Sequence, residues 1–127
     1  MHNNPIASVI DDDESVRIAM SSLVRSLDWD VRLYASAEAF LASDTVNRIA
    51  CIISDVQMPG MNGLDMYRHL LNKGVTLPII FISAFASDAV RRQALELGAM
   101  CVLTKPVDGC EVSRCLAQLG PDNSCRE

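Results

Sequence analysis

Short apolar runs of strand length alternate along the chain with longer stretches in which apolar residues recur at helical spacing. Residues 5–10 predict a buried strand that ends abruptly in the acidic cluster Asp11, Asp12, Asp13 and Glu14. Asp13 is placed to cap a helix whose apolar positions, Val16, Met20, Leu23, Val24 and Leu27, fall on one stripe. A second strand follows over 30–34, and Ser36 caps a short helix carrying Ala39, Phe40 and Leu41. The third strand, 49–54, is almost wholly apolar and delivers Asp55 at its C-terminal end. Pro59, Gly60 and Gly63 make 56–63 a loop, and a helix over 64–73 then ends at Gly74, which suits the C′ position. Residues 77–83 predict the fourth strand, with Pro78 tolerated at its start. Ser87 or Asp88 opens a helix through 97 that Gly98 stops. A fifth strand over 99–103 and a final helix over 108–119 complete the alternation.

Five strands alternating with five helices predict an α/β fold with a five-stranded parallel sheet. Strands this apolar need helices on both faces. A single domain over 1–120 and a linker-like tail over 121–127 fit a chain of 127 residues. This architecture hosts many chemistries, so function has to come from the site.

Composition removes several classes. The net charge is −5 and the 11 Lys and Arg are scattered, whereas a nucleic-acid module gathers them to neutralise phosphates. Direct nucleic-acid contact by this domain is not expected. The five cysteines, Cys51, Cys101, Cys110, Cys115 and Cys125, are odd in number and form no C-x-x-C pair. They read as small packing or surface residues in a reducing cytosol rather than as a metal site or a disulfide framework. The N-terminus lacks a basic region leading into an apolar stretch, so no secretory signal is read. No apolar run approaches the ~20 residues that span a bilayer. The expectation is a cytoplasmic protein without membrane contact.

In an open parallel sheet, ligands bind just beyond the C-terminal ends of the strands. The first strand delivers Asp11 and Asp12 there, the third Asp55, the fourth Ser83, and the fifth Lys105. Singly, each has a plain reading: a strand-end Asp is usually a cap or turn residue, and a Lys a solvated charge. Together they are harder to dismiss. Three converging carboxylates repel one another, and desolvation worsens this unless a cation compensates. Hard oxygen ligands favour Mg²⁺, which takes one or two carboxylates together with phosphate oxygens. Lys105 and the metal would neutralise a phosphoryl group to which Ser83 donates a hydrogen bond. Asp55, followed by an open Pro/Gly loop, is the better nucleophile, and Asp11 and Asp12 are better placed for metal.

These segments resemble the CheY-like receiver domain of two-component response regulators over nearly the whole chain. The resemblance rests on Val9 through Arg17, on Asp55-Val56-Gln57-Met58-Pro59-Gly60-Met61-Asn62-Gly63, on Phe81-Ile82-Ser83-Ala84, and on Gly98-Ala99 leading to Leu103-Thr104-Lys105-Pro106. It implies a flavodoxin-like (βα)5 fold in which Asp55 takes a phosphoryl group from a phosphohistidine on a sensor histidine kinase. It also implies Mg²⁺ held by Asp12, Asp55 and the Gln57 carbonyl, with Asp11 acting mainly through metal-bound water. Lys105, joined to Pro106 by a cis bond, would pair with phosphoryl oxygens. Ser83 would move toward the phosphoryl group and bias the surface of the fourth helix, fifth strand and fifth helix. Three positions depart from the common pattern. Ser83 stands where Thr is commoner; Val102 stands where an aromatic ring usually swings inward; and Gln57 is a candidate for setting the dephosphorylation rate.

Two alternatives share parts of this pattern. A haloacid-dehalogenase-type phosphatase also uses a strand-end Asp, with Asp11-x-Asp13 imitating its first motif, but Ser15 and the single carboxylate of Asp108 depart from it. A flavodoxin-like electron carrier would need a hydroxyl- and glycine-rich phosphate loop where this chain has an acidic one. The tail at Gly120 and Pro121 reads as an interdomain connector, favouring a transcription-factor receiver that dimerises on phosphorylation over a stand-alone receiver acting by protein binding. His2 and His69 stand apart from the acidic cluster. Trp29 falls at the opposite end of the sheet, so its fluorescence should respond weakly to Mg²⁺. The six methionines read mostly as core or loop packing, with a kinase-docking surface at Met58 and Met61, which flank the acceptor, as the alternative.

Overall fold

A computed structural model describes residues 4–43 and 46–119. The predicted tail, His2 and Cys125 lie outside the described residues. Strands β1 (Ile6–Ile10), β2 (Asp30–Tyr34), β3 (Cys51–Asp55), β4 (Ile79–Ser83) and β5 (Cys101–Thr104) form one sheet in the order β2-β1-β3-β4-β5. Every pairing is parallel. Helices α1 (Glu14–Ser26), α2 (Ala37–Ala42), α3 (Gly63–Asn72), α4 (Asp88–Glu96) and α5 (Gly109–Ala117) connect the strands, with a short 3-10 turn at Val46–Arg48.

Alternate strand residues feed two cores. Ile10, Ile52, Ile79, Phe81 and Val102 pack with Phe40 of α2 and with Leu64, Met66 and Leu70 of α3. Val9, Ile53, Ile80, Ile82 and Leu103 pack with Met20 and Val24 of α1 and with Val112 and Leu116 of α5. Burying each large aliphatic or aromatic side chain contributes about 1.5–3 kcal/mol, which holds the strand ends, and the site they carry, in fixed register. The edge strand β2 departs from the expectation of two covered faces, since Leu33 is 41% exposed.

The helix starts follow the predicted caps. Asp13 accepts from the Ser15 and Val16 amides, Ser36 from Ala39, and Ser87 from Val90. Ser87 is therefore the cap and Asp88 the first helical residue of α4. The fifth strand begins two residues later than the apolar run implies. The Ala99 amide donates to the Ala94 carbonyl at 3.0 Å, so Gly98 (φ 97°) and Ala99 close α4 instead of opening β5. No helix among the described residues is long and apolar enough to cross a membrane.

Candidate functional site

Parallel pairing brings the C-terminal ends of β1, β3, β4 and β5 to one rim. Asp11 and Asp55 are almost fully buried there, 2% and 4% exposed, while Asp12 is exposed above them. Carboxylate oxygens of the three lie within 4.8 Å of one another. Lys105 Nζ sits between the buried pair, 3.1 Å from Asp11 Oδ2 and 3.1 Å from Asp55 Oδ2. The Lys105–Pro106 peptide is cis, as the resemblance implies, and the Lys105 amide donates to the Ser83 carbonyl at 3.0 Å.

The electrostatics of this rim are unbalanced. Burial pushes the Asp55 carboxyl above the usual aspartate range; the hydrogen bond from Lys105 opposes this and the Asp11 charge adds to it. Burial alone would lower the Lys105 ammonium, yet the two aspartates outweigh it and raise it. One lysine thus faces three carboxylates. Asp11 Oδ2 is buried and is held by its ion pair with Lys105. Asp11 is anchored from the other side, where its Oδ1 accepts from the Asp13 amide at 2.9 Å and its carbonyl from Arg17 Nη1 at 2.6 Å. A hard, all-oxygen donor set with surplus negative charge fits a divalent cation such as Mg²⁺.

The loop after β3 is held tightly against the acceptor position. The Gln57 amide donates to Asp55 Oδ1 at 3.2 Å. Gly63 opens α3 directly behind Asp55, where a methyl group would collide with the Asp55 carbonyl oxygen. Gly60 takes a positive φ of 77°, and Glu38 Oε2 accepts from the next amide, Met61, at 3.0 Å. Met58 is buried in the core on the α2–α3 side, and Met61 is half-buried against it. The structure therefore gives these two methionines the packing role read for most of the chain's methionines, and not the alternative of an exposed docking surface.

Ser83 is fully buried. Its Oγ donates to Gln57 Oε1 at 2.7 Å and accepts from the Phe85 amide at 3.0 Å. Sequence reasoning gave Gln57 a backbone ligand role and access to water; it did not find that the side chain engages Ser83, 26 residues away. Val102 is 9% exposed and packs on the α3–α4 side. Its carbonyl accepts from Arg91 Nη1 at 3.1 Å, and Thr104 Oγ1 accepts from Arg91 Nη2 at 3.0 Å, so α4 is tied to β5 through backbone and hydroxyl rather than through a ring. Trp29 immediately precedes β2, at the opposite end of the sheet, and is buried.

An acidic rim answered by one lysine, on a five-stranded parallel sheet of this order, defines a receiver domain. The family model for the response regulator receiver domain matches residues 7–116, and the chain belongs to that family, as a regulatory domain of two-component signalling. It is 46% identical over 110 residues to the response regulator protein TodT of Pseudomonas putida, covering 83% of this chain and 48% of that protein. It is 35% identical over 100 residues to the transcriptional regulatory protein FixJ of Azorhizobium caulinodans, covering 79% and 47%. The chain thus spans about half the length of these curated relatives. Among solved structures, the response regulator StyR superposes with a TM-score of 0.85 at 30% identity, covering 98% of this chain and 63% of that one. A chemotaxis protein, CheY4 of Vibrio cholerae, gives 0.83 at 24% identity, covering 92% and 99%, and shows the shared fold. The phosphatase alternative also fails on geometry. Asp13, the second carboxylate of its motif, is spent capping α1 through the Ser15 and Val16 amides.

Proposed function

We propose that this receiver accepts a phosphoryl group on Asp55 from a sensor histidine kinase in a Mg²⁺-dependent reaction. The observation that carries the reading is the Lys105 ammonium set between buried Asp11 and Asp55, with Asp12 completing an acidic trio around it. Asp12, Asp55 and the Gln57 carbonyl would hold the metal, with Asp11 contributing through bound water. When bound, the metal supplies positive charge that offsets the phosphoryl oxygens. Asp55 Oδ1 accepts the Gln57 amide, so Oδ2, facing Lys105, is the oxygen we assign to attack. An O–P bond forms as the N–P bond of the phosphohistidine breaks, and the imidazole keeps the electron pair and takes up a proton from water.

Lys105 then pairs with the phosphoryl group, and Ser83 exchanges its Gln57 partner for a phosphoryl oxygen. Ser83 movement is transmitted through two contacts, the Phe85 amide on its Oγ and the Lys105 amide on its carbonyl. The readout we assign is the α4–β5–α5 surface. Two of the large exposed apolar residues lie in or beside α4: Phe85 at 77% and Leu95 at 58% exposure. That supports phosphorylation-dependent dimerisation, with a transcriptional output carried by sequence beyond this domain, as the covered fraction of its relatives suggests. The kinase side is supported by an apolar groove of about 560 Å³ beside Lys105, lined by Val16, Ala19, Met20, Leu23 and Val107. We further assign residues 1–120 to the receiver, residues 121–127 to a connector, and the chain to the cytoplasm.

Labelling with acetyl phosphate tests this reading. With Mg²⁺, one phosphoryl group is expected on Asp55, none with chelator, and none in Asp55→Asn. Equal labelling of Asp55→Asn would overturn it. Light scattering with beryllofluoride tests the output, where an unchanged monomer mass would remove dimerisation.

A further inference from the structure

Outside the acidic rim, the described residues bring together one pair of nucleophilic side chains from different elements. Cys101 of β5 and Cys115 of α5 lie 14 residues apart in sequence, yet their Sγ atoms stand 2.6 Å apart. Both pack against the α1–α5 core, and both are partly exposed. Of the other cysteines, Cys51 of β3 lies in the same core, near enough to feel the charge of both thiols, but is fully buried, and Cys110 is exposed in the first turn of α5. Among the described residues, the one group of three or more His, Cys, Asp or Glu ligand atoms within 4.8 Å is the aspartate trio, so no third ligand converts the thiol pair into a metal site. Two facing thiols without a third ligand are suited to two-electron oxidation.

We infer that Cys101 and Cys115 form a disulfide on exposure to a hydroperoxide, closing a covalent ring that contains Lys105 and Pro106. The atoms balance in two steps. One sulfur of the pair attacks the peroxide oxygen; an S–O bond forms, the O–O bond breaks, and the thiol proton leaves with the alcohol or water released. The other sulfur then displaces hydroxide from that sulfenic acid, forming the S–S bond, and the hydroxide departs with that thiol's proton as water. Both sulfurs are oxidised by one electron and the peroxide is reduced by two. Burial, followed by the hydrogen bond with Cys115, pushes the Cys101 thiol up. The ring fixes α5 to β5, and it encloses the turn that presents Lys105 to Asp11 and Asp55. A redox input on the phosphorylation site is thereby built into the domain.

The test treats the whole chain with one equivalent of hydrogen peroxide, followed by alkylation, intact mass and peptide mapping. Wild type is expected to lose two hydrogens, to fall from five alkylatable thiols to three, and to yield a linked 101–115 peptide that dithiothreitol separates. Cys101→Ser and Cys115→Ser should form no linked peptide, whereas Cys51→Ser and Cys110→Ser should still form the link. Phenylarsine oxide, which bridges adjacent thiols, gives an independent readout on unoxidised protein: one equivalent bound by wild type, none by Cys101→Ser. A bond mapped to any other cysteine pair would overturn the inference. So would oxygen uptake without crosslinking, or arsenical binding that persists in Cys101→Ser.

Discussion

Ser83 Oγ donates to Gln57 Oε1 across 2.7 Å, so the strand-end hydroxyl is tied to the loop that follows Asp55. A hydroxyl held this way is not free to meet a phosphoryl group. Removing the partner should release it. Such a hydrogen bond contributes about 1 kcal/mol, so Gln57→Ala is expected to accelerate labelling by acetyl phosphate about fivefold. The check is a quenched time course read by intact mass, with Ser83→Ala as the opposite case, labelling more slowly than wild type. Identical rates in wild type and Gln57→Ala would remove the restraint.

Lys105 is the cation that reconciles Asp11 with Asp55. Truncating one partner of a buried ion pair leaves uncompensated charge, so Lys105→Ala should destabilise the fold by roughly 2–4 kcal/mol, discounted for the lysine's partial exposure. Urea unfolding without metal measures this. Added Mg²⁺ should recover part of the loss, because binding to the native state alone stabilises by about 1.4 kcal/mol at ten times Kd.

Asp55 carries a carboxyl raised by burial, so its charged form is a net cost to the folded state. A raised folded value means the stability contributed by protonation is full at low pH and is lost as pH rises through that value. Asp55→Asn should therefore be more thermally stable than wild type at neutral pH without Mg²⁺, and the gap should close as pH falls. Scanning calorimetry across that interval measures it. Labelling of the wild type should weaken on acidification, beginning above the ordinary aspartate range.

Gly63 is required by space, not by backbone conformation. A Cβ there would strike the Asp55 carbonyl and press on Ser54 Oγ at 3.1 Å. Gly63→Ala is expected to cost about 1–3 kcal/mol, the usual range for overpacking. It should also lower the labelling rate, because the displaced backbone is that of the acceptor. Gly74, whose added Cβ would meet nothing, is the control for stability cost without loss of labelling.

The sheet and its acidic rim were legible because both follow from local pattern. Apolar runs with β period mark the strands, and a parallel sheet sends every strand end to one side, so Asp11, Asp55, Ser83 and Lys105 had to meet. Strand limits were less legible. Residues 99 and 100 are as apolar as β5 itself, and only the capping bonds after Gly98 assign Ala99 to the end of α4. The Gln57–Ser83 bond and the Cys101–Cys115 pair were invisible for a different reason. Each depends on the side-chain directions of two separately placed elements, 26 and 14 residues apart, and no spacing rule encodes that. Met58 leaves packing and docking both open in the sequence, because a methionine beside a reactive loop looks the same whether it faces solvent or the core.

The most direct measurement is calorimetric titration of the metal-free chain with Mg²⁺ at neutral pH, alongside Asp12→Ala. Saturable uptake of one ion per chain is expected, abolished in Asp12→Ala while its circular dichroism stays native. Absence of uptake by folded wild type, or equal uptake by the variant, would contradict the claim that these aspartates crowd together to hold a cation.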